Sequence, residues 1–173
     1  MSPLVETPAS GLQIRRATID DVAAITEIYN EAILTTTATF DTEPKTLAER
    51  TMWLRSHDDR FPVFVGVLGG KVVGWACLSA WSDRCAYAET AETSFYVKSD
   101  YRGKGIGRKL KEATIAEARR LNFHTLIARV AEGSSESLHL NESTGFAQVG
   151  KLKEVGVKFG KRLDVHILQL MLK

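Results

Sequence analysis

Residues 92–111, Glu-Thr-Ser-Phe-Tyr-Val-Lys-Ser-Asp-Tyr-Arg-Gly-Lys-Gly-Ile-Gly-Arg-Lys-Leu-Lys, run from a β-type segment through a glycine-rich turn straight into a helix. No other stretch limits the fold so tightly. Gly103, Gly105 and Gly107 admit positive φ and close backbone approach, and the helix behind them offers unpaired N–H groups and the positive end of its dipole. Arg102, Lys104, Arg108 and Lys109 crowd the same end, where cations oppose the dipole and weaken an isolated helix. A bound polyphosphate reverses that penalty, so the stretch predicts an anion site. The competing reading is a glycine turn followed by a solvated basic helix face; the coincidence of strand, glycines and charges argues against it.

A chain of 173 residues, 44% apolar and 25% charged, is expected to form one domain with a real core. Its formal net charge of +2 is too small for a general nucleic-acid binder, so the local basic cluster predicts a small ligand and no nucleic-acid partner. The start, Met-Ser-Pro-Leu-Val-Glu-Thr-Pro, lacks the basic end and apolar run of a secretory signal, and no apolar stretch approaches a membrane span. The expectation is a cytoplasmic protein without a membrane partner. Cys77 and Cys85 form no framework, and His57, His124, His139 and His166 have no ligand spacing; no metal is predicted.

Along the chain, residues 1–11 read as a loose tail and 12–173 as the folded domain. Leu12 to Ala17 predicts a strand. Thr18 and Asp21 resemble a capping box ahead of a helix carrying Val22, Ile25, Tyr29, Ala32 and Ile33 on one face. The polar, β-branched segment from Thr35 to Pro44 predicts a loop, in which Phe40 either lines a pocket or pins the loop to the core. A helix from Leu47 to Ser56 follows the N-cap Thr46. Val63 to Leu68 and Lys71 to Leu78 form a hairpin across Gly69-Gly70. Ala80 to Glu89 breaks the pattern. Ala91 to Val97 leads into the glycine turn, and Thr125 to Val130 should lie parallel to it. A short helix over Ser134 to Ser143 precedes an antiparallel pair, Gln148 to Val157 and Leu163 to Leu172. The fold class is α/β (α+β), a mixed, mainly antiparallel sheet flanked by helices.

Two familiar phosphate loops fail on context. There is no Gly-x-x-x-x-Gly-Lys-Ser/Thr, and the glycines lie in mid-chain rather than after the first strand of a repeated βαβ pattern. Arg-Gly-Lys-Gly-Ile-Gly after Phe-Tyr-Val instead resembles the acetyl-CoA motif of the GCN5-related N-acetyltransferases. Ile14-Arg-Arg-Ala-Thr, Phe40-Asp-Thr-Glu-Pro, Trp81 to Tyr87, Glu92-Thr-Ser-Phe-Tyr-Val, Ser137-Leu-His-Leu and Gly156-Val-Lys-Phe-Gly-Lys-Arg-Leu-Asp-Val are similar to phosphinothricin and methionine sulfoximine or sulfone N-acetyltransferases.

That resemblance implies acetyl-CoA as co-substrate and a strand pair that splays to receive its pantetheine arm on backbone groups of Phe95, Tyr96 and Val97. Carried over by position, the pyrophosphate falls on the amides of Gly103, Lys104, Gly105, Ile106, Gly107 and Arg108, with Arg102 nearby. Ser134 stands where the family often has a cofactor-binding Asn. Glu92 aligns with the family's general base, with Glu89 as the nearby competitor, and the Val97 N–H is placed to hold the oxyanion. Many relatives carry a tyrosine after the fourth helix as acid for the departing thiolate, and the position is assigned here to Phe146. For the substrate, Arg84 suits a carboxylate or phosphinate, with Phe40 and Tyr87 shaping the pocket. Surface pairing of Arg84 with Asp83 or Glu89 is the plainer alternative. Ser82 replaces a lysine typical of phosphinothricin-specific relatives. The implied function is direct acetylation of a small amino-acid analogue by a homodimer paired through Gly156 to Val165. Acetylation of a protein N-terminus or polyamine, and a non-catalytic acyl-CoA sensor, stay open.

Overall fold

The computed structural model describes residues 10–173, so the expected tail lies, except for Ser10 and Gly11, outside the described residues. Eleven helices and strands follow in the expected order: β1 Gln13–Arg16, α1 Val22–Thr35, α2 Leu47–Ser56, β2 Val63–Leu68, β3 Lys71–Ala80, β4 Thr90–Val97, α3 Ile106–Arg120, β5 Thr125–Ala131, α4 Ser135–Ser143, β6 Ala147–Lys158 and β7 Lys161–Met171. The strands make one sheet in the order β1-β2-β3-β4-β5-β7-β6. Among the described residues only β4 and β5 run parallel. No helix among the described residues is long and apolar enough to cross a membrane.

Both faces of the central strands are covered, which is why their sequences read as continuous apolar runs. On one face Val63, Val65, Trp75 and Cys77 pack against Ile25, Ile28, Tyr29 and Ile33 of α1. On the other, Phe64, Val73 and Ala76 pack against Ile106 and Leu110 of α3. The alternation along β2 and from Trp75 to Cys77 of β3 follows the two-residue strand period, and Val73 falls on the α3 side where the β2–β3 register shifts. A third cluster joins Ile115 and Ala118 of α3 to Leu126, Ala128 and Leu168 of β5 and β7, so α3 bridges the two halves of the sheet.

Local signals behave as their chemistry dictates. Thr46 and Glu49 close a full capping box at the start of α2. The Thr18–Asp21 box starts a single tight turn that leads into α1. There the Arg15 guanidinium, at 2.7 and 2.9 Å, holds the Asp21 carboxyl below its usual range.

The feature that positions the site is a break in pairing. β3 and β4 stay in register up to Gly74 and Val97, and β5 and β7 up to Ala131 and Val165. Between β4 and β5, however, only Thr90, Ala91 and Glu92 find partners, opposite Thr125, Leu126 and Ile127. Beyond Glu92 the two strands part. The expected splay is present and begins at the candidate base.

Candidate active site

The parting strands form a cleft lined from β4 by Thr93, Ser94, Phe95 and Tyr96 and from β5 by Ala128 to Ala131, with a cavity volume of ≈ 50 Å³. Ser134, Ser137 and Asn141 close it from the α4 side, Lys111 from α3, and Ala38 from the loop after α1. That loop is tied across the cleft's open end. Thr37 donates to the Glu132 carbonyl at 3.0 Å, and Lys158 Nζ donates to the Thr39 carbonyl at 2.7 Å.

Backbone direction along β4 follows from one hydrogen bond. The Lys98 N–H donates to the Val73 carbonyl at 2.9 Å, which makes that a hydrogen-bonded antiparallel pair. The next pair, Val97 with Gly74, therefore turns its backbone groups away from β3. By the same alternation Phe95 turns outward into the gap, while Tyr96 commits its N–H and C=O to β3. Phe95 and Val97 thus offer main-chain groups to a ligand, and the expectation that Tyr96 does so too is corrected by register. The Tyr96 ring packs on Trp75 and Tyr29. Arg102 Nε donates to the Val97 carbonyl at 3.1 Å, which leaves the Val97 N–H for the cleft.

The glycine turn is built for an anion. Gly103 and Gly105 have φ of 73° and 78°, a region that a side chain strains. Gly105 caps α3 with no side-chain hydrogen bond, so the first amides of the helix remain open to a ligand. Gly107 differs from the expectation: its φ is not positive, and its role is space, since a Cβ there would lie 3.3 Å from both Phe95 and Leu140. Around the turn, Lys104 lies over the Tyr101 ring at 5.0 Å, and Arg108 donates to Ser143 Oγ at 2.7 Å. Ser134 is the N-cap of α4 without a capping bond from its own hydroxyl and lines the cleft. These residues fit a phosphorylated ligand with an amide-bearing arm.

Glu92 sits at the last position of β4 that pairs with β5, with a side chain 15% exposed, and Arg129 of β5 clasps both its oxygens at 2.7 and 2.8 Å. A bidentate fork fixes the carboxylate's orientation while leaving lone pairs on each oxygen. Trp81 carries the Arg129 guanidinium 5.9 Å from its ring centroid, so the irregular segment after β3 buttresses this pair.

The expected substrate residues are less concentrated. Arg84 and Tyr87 lie on the exposed segment between β3 and β4, and Arg84 pairs with neither Asp83 nor Glu89 among the described residues. Phe40 does not line the cleft. Its ring fills the space where a side chain on Gly156 of β6 would go, so it pins the loop to the outer strand pair. Phe146, set by the sequence where relatives carry the tyrosine acid, has no proton to give; it is 3% exposed and belongs to the core.

Three cleft residues escaped the sequence reading. Arg129 is the one charge in Thr-Leu-Ile-Ala-Arg-Val-Ala, and that interruption of an apolar strand was a usable signal. Asn141 is 1% exposed, and its Oδ1 has no hydrogen-bond partner. Lys111 is 2% exposed and donates to Thr93 Oγ1 at 2.9 Å. Its Nζ lies 4.0 Å from the Phe146 ring centroid. Burial lowers this ammonium to about 7.

Parallel strands that part beside an uncapped, glycine-led helix, with amides open along the gap, fit the phosphates and amide-bearing arm of an acyl-coenzyme A. Family comparison agrees: the model of the Acetyltransferase (GNAT) family matches residues 25–146. The chain belongs to the GNAT family of N-acetyltransferases. A methionine sulfoximine/methionine sulfone acetyltransferase from Salmonella typhimurium is 38% identical over 93% of this chain and 95% of its own. A phosphinothricin N-acetyltransferase from Streptomyces coelicolor is 34% identical over 89% and 92%. Among solved structures, yncA of Salmonella typhimurium with its cofactor acetyl-CoA superposes with a TM-score of 0.91 at 37% identity, covering 95% of each chain.

Proposed function

We propose that the protein transfers the acetyl group of acetyl-CoA directly to the amino group of a small amino-acid analogue of the methionine sulfoximine, methionine sulfone or phosphinothricin type. The relatives' substrates support the class. The observation that carries the reading is Glu92, oriented by Arg129 at the point where β4 and β5 part.

Acetyl-CoA, when bound, supplies an acetyl group activated as a thioester. The chain's residues do the rest. The amides of Gly103 to Arg108 and the α3 N-terminus hold the phosphates, with Arg102 and Ser134 alongside. Phe95 and Val97 align the amide-bearing arm, and the Val97 N–H donates to the carbonyl oxygen as charge builds there. An ammonium has no lone pair, so Glu92 takes a proton from the incoming amine, directly or through one water. Arg84, unpaired and exposed, receives the substrate's acidic group, with Tyr87 beside it. Phe40 acts on the pocket only through the loop it anchors. A homodimer is part of the proposal: Val149, Leu152, Val155, Val157 and Phe159 are exposed apolar side chains on β6 and the turn after it.

The test is acetyl-CoA consumption against methionine sulfoximine, methionine sulfone, phosphinothricin, free amino acids, polyamines and a peptide N-terminus. Glu92→Gln is expected to keep cofactor affinity and lose about 10²-fold in rate, most visibly at lower pH. Arg84→Ala should raise KM chiefly for acidic substrates. Cofactor binding without turnover on any amine would leave a sensor as the function.

A further inference from the structure

Lys111 has no part in the functions above, yet it is among the most buried side chains of the protein. It occupies the apolar stripe of α3, between Leu110 and Thr114, and its amine ends in the fork where β4 leaves β5. Its surroundings are neutral. β4 gives it the Thr93 hydroxyl and, at 5.6 Å, the Phe95 ring; the chain after α4 gives it the Phe146 ring. The only charged residues of β4 and β5, Glu92 and Arg129, are bound to each other. On α4, Glu136, His139 and Glu142 are exposed, and the buried member, Asn141, presents an unpartnered Oδ1. No carboxylate acts on the amine, and burial lowers it.

A buried cation without a counter-ion is costly and is explained if an anion appears beside it during function. N-acetyl transfer produces one in this cleft, because the bond from the acetyl carbon to sulfur breaks with its electron pair left on sulfur. We propose that Lys111 faces that sulfur and is the acid of the reaction. As the amine nitrogen bonds to the acetyl carbon and loses its proton, Lys111 Nζ–H passes a proton to the departing sulfur. The products are the amide and the neutral thiol, and the lysine, left as a free amine, regains its proton from solvent when the thiol leaves. Thr93 holds the amine toward the gap. A fixed positive charge in a dry cleft acts on charge that develops only in the transition state.

This inference rests on the acetyltransferase reading, but its test needs no amine substrate. Coenzyme A itself is titrated on the protein, following thiolate absorbance in the ultraviolet from pH 5 to 10. A free thiol ionises near pH ~8.5. Bound to wild type it is expected to ionise at least tenfold more readily. Lys111→Met should abolish that shift and lower kcat about 10²-fold, with KM for acetyl-CoA changed less than threefold. Lys111→Arg should restore part of the shift. Bound coenzyme A that ionises as it does in water, or a shift that survives in Lys111→Met, overturns the proposal. Should Lys111→Met not fold, the wild-type titration and Thr93→Val decide: Thr93→Val is expected to weaken the shift, and an unchanged one counts against the assignment. If no amine in the panel is acetylated while the thiol shift is present, the substrate reading fails and this one stands.

Discussion

Replacing Lys111 by methionine should make the protein more stable, by an amount that depends on pH in a defined way. The side chain is 2% exposed, and burial brings its ammonium from 10.5 to about 7. The unfolded chain keeps the ordinary value. Between pH 7 and 10.5, then, the unfolded state binds more protons than the native one, and stability rises with pH. Below about pH 7 both states are protonated and the whole penalty stands, about 5 kcal/mol at about 1.4 kcal/mol per pH unit. Methionine has similar length and no charge. It forfeits the Thr93 hydrogen bond and the contact with Phe146, an offset of about 1–2 kcal/mol. The expected net gain is about 3 kcal/mol at pH 6, falling below about 1 kcal/mol by pH 9. Urea unfolding of both proteins at the two pH values measures it, with midpoints compared at constant m. A gap that stays the same from pH 6 to 9, or a variant less stable at pH 6, would refute the picture of an uncompensated buried charge.

Glu117 also makes stability rise with pH, but in an acid window and through a favourable pairing rather than a relieved penalty. Arg120 first, and then Arg16, hold its carboxyl down to about 2, so its contribution is present above the usual carboxylate range and is lost as pH falls from about 4.5 toward 2. With Arg16 40% and Arg120 65% exposed, solvent screening limits the effect, and Glu117→Gln should cost about 1–2 kcal/mol at pH 7 and flatten the acid limb of the stability profile. Gly156→Ala should expel the Phe40 ring, loosening the loop after α1; the readout is faster proteolysis there and a loss of about 1–3 kcal/mol. Gly107→Ala keeps the helix but pushes Phe95 and Leu140. Calorimetry should find coenzyme A binding weakened at least several-fold with little change in Tm.

What the sequence discloses here follows from which interactions are local. Strand boundaries, the Thr46 cap and the glycine turn rest on neighbours in the chain, and they appear where the residues place them. The splay was legible only through family likeness and its start not at all, because nothing in Thr-Ala-Glu-Thr-Ser-Phe-Tyr-Val says where pairing to a strand 35 residues on will stop. Charged residues misled most. Lys111 received no role in the sequence reading, although positions 106, 110, 111, 114, 115 and 118 form one buried stripe. Asn141 and Arg129 gain meaning only when α4 and β5 meet across the gap. Phe40 illustrates the reverse: an aromatic in a polar loop suggested a pocket wall, and its partner turned out to be a glycine more than a hundred residues away.

The three residue pairs joining β4 to β5 also have a mechanical meaning. They make the sheet two plates on a short hinge, β1-β2-β3-β4 on one side and β5-β7-β6 on the other, with α3 lying across both. A ligand seated in the gap bolts the plates together. Slow opening of the hinge and ligand residence should therefore share one rate-limiting motion, and the amides of Phe95 and Val97 are where hydrogen exchange would time it.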